Sequence, residues 1–169
     1  DPVKVARYRK AQLSAALPDG KALREQMAAS APLSGGKSGL PSAPDPGEAP
    51  AAPWWDGSRT FPLILAKIPV SEPWKTAAYL PFGGENGCPD TPELMAVLAS
   101  WYWEYGAAVS LISADTLEFV LPNPVLPDQA AKLARELFGF CPGLAEEYGT
   151  PDRLAEALCH LERWVLCWR

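Results

Sequence analysis

Cys88 lies in the stretch GENGCPDTP, residues 84–92, two positions before the aspartate that opens an apolar helix. A thiol just outside a helix N-terminus faces free amide donors and the positive end of the helix dipole, which favours the thiolate and hence nucleophilic or redox chemistry. Asn86 stands where it can orient a neighbouring group, and Glu104 and Asp115 are the polar partners that the following elements can bring near. Cys88, Asn86, Glu104 and Asp115 are therefore the candidate catalytic set of a small enzyme. Two features oppose it. No base stands close to Cys88 in sequence, and Asp90 repels a thiolate. Cys-Pro also recurs at Cys141-Pro142, so both cysteines read equally as small buried side chains at turns.

Other chemistries have less behind them. His160 is the only histidine, so any Ser-His or Cys-His site must use it. It sits at the end of an expected helix over 151–161, beside Leu158 and Leu161, where a surface-edge position suffices. Cys88, Cys141, Cys159, His160 and Cys167 contain no C-x-x-C pair, so no metal is expected; nor is any cofactor. Glu104, Asp115 and Glu118 suggest a carboxylate pair, but hydrolysis needs two carboxylates at a defined separation. Asp115 at a hairpin more naturally serves its turn. SGGKSG at 34–39 imitates a phosphate loop, yet the earlier glycine of that pattern is missing where the chain has Ala31 and Pro32. Its setting is a linker, without the strand and helix a phosphate loop joins.

The elements that must position these residues follow from periodicity. FPLILAKIPV at 61–70 is a short apolar run between turn formers, expected as a buried strand. SEPWKTAAYL at 71–80 opens a short helix, with Ser71 as its cap and Pro73 in its first turn. Over 91–105, Asp90 and Glu93 have capping-box spacing, Leu94, Val97, Leu98, Trp101, Tyr102 and Tyr105 recur at three and four, and Gly106 supplies the stop. Strands follow at 107–113 and 116–121 around Ala114-Asp115. Helices follow at 127–139, ended by Gly139, and at 151–161, capped by Thr150. A last strand spans 163–168. Helices over one small mixed sheet of about four strands make this an α+β fold.

Ahead of that body, residues 2–17 and 21–29 read as short helices. Residues 30–53 are rich in Ala, Pro, Gly and Ser, with too few large apolar groups to offset the entropy of ordering. The expected organisation is an N-terminal helical segment over 1–29, a linker over 30–53 and a compact domain over 54–169. Charge divides along the same lines. Residues 1–28 carry +3, whereas residues 61–169 hold seven bases and fourteen acids, or −7. An acidic body excludes wrapping a phosphate backbone, so nucleic acid is not an expected partner. No apolar run reaches membrane-spanning length. Four cysteines in a domain large enough to do without staples point to reduced thiols in a cytoplasm, although a start at Asp1 leaves a removed leader open.

Four fragments, NGCPDTPEL (86–94), WEYGAAVSLISADTLEF (103–119), AAKLARELFGFCP (130–142) and WVLCWR (164–169), together resemble a bacterial family known as domain of unknown function 4253. The resemblance covers residues 71–168. Asn86, Cys88, Pro89, Tyr105, Gly106, Ala107, Asp115, Thr116, Cys141 and Pro142 match its pattern. Gly143 and Arg169 depart from it where aspartates often stand, which places in doubt any mechanism using those two carboxylates. The resemblance implies an α+β domain and brings no activity, substrate or cofactor. With one histidine and no complete catalytic constellation, the expected role is a protein-interaction module, regulatory or immunity-type, whose acidic body presents Trp74, Trp103 and Trp168 to a partner protein. A Cys88 enzyme is the alternative.

Overall fold

The computed structural model describes residues 1–31, 62–80, 82 and 87–168. Asn86 and the phosphate-loop imitation at 34–39 lie outside the described residues. The helices are α1 (Pro2–Ser14), α2 (Gly20–Ser30), a 3-10 turn (Pro73–Ala78), α3 (Thr91–Tyr105), α4 (Pro127–Phe140), α5 (Leu144–Tyr148) and α6 (Pro151–Leu158); the strands are β1 (Ala108–Ile112), β2 (Thr116–Val120) and β3 (Arg163–Cys167). Among the described residues the sheet has three antiparallel strands in the order β1-β2-β3, not four.

The missing strand is the expected one at 61–70. Residues 62–70 form no ladder, and Ile64 and Leu65 are 94% and 101% exposed. Pro62 and Pro69 each lack the backbone donor a ladder needs, and the run lacks the alternation that would assign one face to a core. Apolar composition alone was a poor guide to burial here.

Helix α3 follows its signals closely. The Asp90 carboxylate accepts from the Glu93 amide at 2.9 Å, Pro92 sits in the first turn, and Gly106 caps the end at φ 73°. Its buried stripe centres on Trp101, which is fully buried and meets Phe140, Phe119 and Trp164 edge-on at centroid distances of 4.9, 5.9 and 6.3 Å. Phe119 and Trp164 come from β2 and β3, so one indole joins sheet, α3 and α4. Truncating a side chain packed like this costs about 3–5 kcal/mol.

Between β1 and β2, Ser113 Oγ accepts from the Thr116 amide at 3.0 Å, while Asp115 Oδ1 accepts from the Thr116 and Ser113 hydroxyls at 2.9 and 3.1 Å. Asp115 is thus engaged in its own turn. The 3-10 turn starts at Pro73, and Glu72, not Ser71, is its cap residue; the Ser71 hydroxyl donates to the Glu72 carboxylate instead. Helix α1 stops at Ser14 rather than 17, in keeping with Pro18, which disfavours helical backbone at Leu17. Helix α6 stops at Leu158, leaving His160 exposed in the turn beyond it.

Gly139 does not end its helix. Helix α4 runs one residue further, and a Cβ at Gly139 would lie 2.0 Å from the Met27 carbonyl oxygen of α2. The glycine is there because two helix backbones touch. The N-terminal segment accordingly folds back on the body: α2 packs against α3 and α4, the Tyr8 hydroxyl of α1 hydrogen-bonds Thr91 Oγ1 at 2.7 Å, and the Arg9 guanidinium lies 4.2 Å from the centre of the Tyr79 ring. Helix propensity alone would make Gly139→Ala stabilising by about 1 kcal/mol. The close approach instead predicts a net loss of about 1–3 kcal/mol, the range for overpacking. Gly87, at φ 75° with open space around its Cβ position, should lose only about 1–2 kcal/mol from backbone conformation when changed to Ala. Thermal unfolding of both variants checks the pair; a higher midpoint for Gly139→Ala would contradict the helix contact.

Candidate functional site

Cys88 is half-buried in the loop before α3. Partial burial, then the negative charge of Asp115, push its thiol above the ordinary range. The helix terminus does not override these effects, because Cys88 precedes the cap and Asp90 already accepts the Glu93 amide. Asp115 is therefore within electrostatic reach of Cys88, with the sign that suppresses a thiolate. Glu104 belongs elsewhere. It lies at the far end of α3, and at 1.5 Å per residue the two are separated by roughly 20 Å.

The remaining cysteines are structural in their contacts, and none of the four is in a disulfide. Cys141 donates to the Cys167 carbonyl at 3.2 Å, and burial pushes it up to about 12. Cys159 donates to the Ala155 carbonyl at 3.3 Å, and Cys167 Sγ lies 3.3 Å from Thr116 Oγ1. Among the described residues no three Cys, His, Asp or Glu side chains converge as metal ligands. Glu118, on β2, accepts from Ser110 at 2.7 Å and lies 3.7 Å from Arg163, so it does not pair with Asp115 or Glu104.

Glu104 is part of a cluster that residue spacing did not reveal. Arg24 of α2 is 1% exposed. Its Nη1 donates to Glu136 Oε2 at 3.0 Å and its Nη2 donates to Glu104 Oε2. Trp101 Nε1 donates to the same Glu136 oxygen at 3.2 Å, Tyr105 donates to Glu104 Oε1 at 2.9 Å, and Lys132 reaches Glu104 at 3.4 Å. Burial opposes ionisation of Glu104, but Arg24, Tyr105 and Lys132 outweigh it and hold its carboxyl below the ordinary range. Burial likewise opposes the Arg24 charge, and the two carboxylates outweigh it, so its pKa rises. Two glutamates, a guanidinium and an indole thus form one ion cluster joining α2, α3 and α4, buried at Arg24 and Glu136 and open to solvent at Glu104. The legible signal was Glu136 itself: in KLARELFGF it shares the helix side of Leu133, Leu137 and Phe140, where an unpaired carboxylate is too costly to bury.

The three tryptophans separate. Trp168 is buried, packed against Phe82 and Phe140 at 5.0 and 5.2 Å. Trp74 is buried at the 3-10 turn. Trp103 is 75% exposed, yet its ring contacts Trp74 and Tyr102, each at 5.5 Å, and Tyr102 contacts Trp74 at 5.1 Å. Three rings thus form one mutually braced group, with Trp103 its outermost member.

A three-stranded antiparallel sheet, the helices packed with it and a buried ion cluster define a small α+β domain. The chain belongs to the family described as Domain of unknown function (DUF4253), which matches residues 64–169. No curated protein and no solved structure matches it. The matched span contains Cys88, Trp103, Glu104 and Glu136 but not Arg24. Among the described residues, no helix is long and apolar enough to cross a membrane.

Alkylation of the folded protein, followed by mass spectrometry across pH, should show Cys88 titrating above the free-thiol value of about 8.5. Asp115→Asn should lower that midpoint. A wild-type midpoint below the free-thiol value would restore Cys88 as a nucleophile.

Proposed function

We propose that this domain is a non-enzymatic protein-interaction module, of the regulatory or immunity type, working in a bacterial cytoplasm. The observation that carries the reading is Trp103. An exposed indole held by Trp74 and Tyr102 has already lost much of the side-chain freedom that binding would otherwise remove, and tryptophan is the residue type most often found at the energetic centre of interfaces. The partner chemistry that suits it is an apolar pocket with a basic rim, since the surrounding body carries −7 over residues 61–169.

Against the enzyme reading, Cys88 is held as a thiol by partial burial and Asp115, and Glu104 is committed to Arg24. Neither is free to act as an activated nucleophile or a general base.

The full chain used as bait in native lysate should capture a protein in stoichiometric amount at low and moderate salt. Trp103→Ala should lose at least about tenfold in that capture, as loss of an interface anchor does, while its circular dichroism stays that of the wild type. A clean monomer at every salt concentration would overturn the reading.

A further inference from the structure

Helix α2 meets the body at three points that together resemble a ligand in a receptor more than a helix in a core. At its start, a Cβ on Gly20 would lie 2.1 Å from the Ala96 carbonyl oxygen of α3. One turn on, Arg24 enters between Glu104 and Glu136. Near its end, the Met27 carbonyl rests on Gly139 of α4. Arg24 is the only fully buried residue of α2, and α1 has none. The contact is therefore one charged anchor flanked by two close backbone approaches, with Leu23 and Met27 packed half-buried against the core beside it.

The receptor side lies wholly within the family match at 64–169, and the helix lies outside it. Thirty residues, 32–61, rich in Pro, Ala, Gly and Ser, connect the two. The charges are complementary, +3 over residues 1–28 against −7 over 61–169. The fit is incomplete as well. Arg24 Nε and Glu136 Oε1 are buried without a hydrogen-bond partner, Lys132 Nζ stands 3.7 Å from that oxygen, and an open groove of about 580 Å³ runs between α2 and α4 alongside the cluster. A partly satisfied polar network of this kind is costlier to keep buried than a complete one.

We propose that the α3–α4 face, with Glu104, Glu136 and Trp101 as its floor, is a binding groove for an amphipathic helix bearing a glycine four positions before an arginine, and that α2 occupies it in cis as a displaceable ligand. The glycine is required by the Ala96 carbonyl, which leaves no room for a Cβ, and the arginine by Glu136, which without a cation would be a buried, uncompensated charge. Arginine suits the site better than lysine because its fork reaches both carboxylates at once. A partner helix of this pattern competes against a tethered copy, so it binds the intact chain only weakly. Trp103 takes no part in this groove, and the two surfaces stand or fall separately.

The probe is a fluorescently labelled peptide of residues 18–31, titrated into the full chain and followed by anisotropy. Wild type should bind it weakly. Full-length Arg24→Ala, whose own α2 can no longer engage the carboxylates, should bind it at least about tenfold more tightly, as expected on removing an intramolecular competitor. The same peptide carrying Arg24→Ala should bind neither chain. Equal weak binding by wild type and a folded Arg24→Ala chain would overturn the proposal. Should that variant fail to fold, hydrogen exchange on the wild type decides. Amides of α2 should exchange at least about a hundredfold faster than those of α3 and α4, through local opening; equal protection would make α2 an integral part of the core and refute the proposal.

Discussion

The Arg24 guanidinium, buried between Glu104 and Glu136, is the interaction on which the arrangement of helices depends. Removing the Arg24 guanidinium and the Glu136 carboxylate from water costs several kcal/mol per ion, and only close, well-directed contacts return it; Glu104 stays partly in solvent. Here Arg24 contacts both carboxylates and Trp101 donates to the Glu136 oxygen that Arg24 also reaches. Those contacts require α2, α3 and α4 to meet at one point. Gly139 follows from that requirement, because with Arg24 seated the Met27 backbone comes too close to α4 for any side chain. The tight pass of Gly20 over Ala96 belongs to the same constraint.

The same indole that donates to Glu136 carries the aromatic core. Trp101 meets Phe119, Phe140 and Trp164 edge-on, so the polar cluster and the apolar interior share one side chain. Energetically the two halves differ. The aromatic half is favourable on burial alone, whereas the ionic half is favourable only while complete. Losing Arg24 leaves a negative site against an indole; losing an aromatic ring leaves a cavity. That asymmetry separates a body that can stand on its apolar core from an N-terminal helix whose buried anchor is a charge, with Leu23 and Met27 packed beside it.

Much of the fold was legible where local signals agreed. Helix α3 has an aspartate cap, a proline in the first turn, a periodic apolar stripe and a terminal glycine, and all four act as expected. The hairpin and last strand were also readable, within a residue or two at their ends. Where signals were singular they misled. FPLILAKIPV is apolar, but two prolines and the lack of alternation keep 62–70 out of the sheet. Gly139 resembles a terminator in sequence, and only the approach of α2, more than a hundred residues earlier in the chain, explains it. Cys88 stood between two readings, a thiolate before a helix and a buried side chain at a turn; partial burial, then Asp115, distant in sequence, push its thiol above the ordinary range. Arg24 and Glu136 are 112 positions apart, beyond any local pattern, although Glu136 on an apolar helix face did announce a missing cation. Glu104 therefore belongs with Arg24, not with Cys88, a grouping that the sequence did not show.

The central claim is that Arg24 and Glu136 are energetically coupled across the α2–α4 contact. A double-mutant cycle on unfolding free energy, using Arg24→Met, Glu136→Gln and the pair in the full chain, measures this directly. Either single change should cost about 3–5 kcal/mol, because each disrupts a buried ionic contact, and the double variant should cost clearly less than their sum. Strict additivity would contradict the claim and leave α2 resting on the body without its anchor.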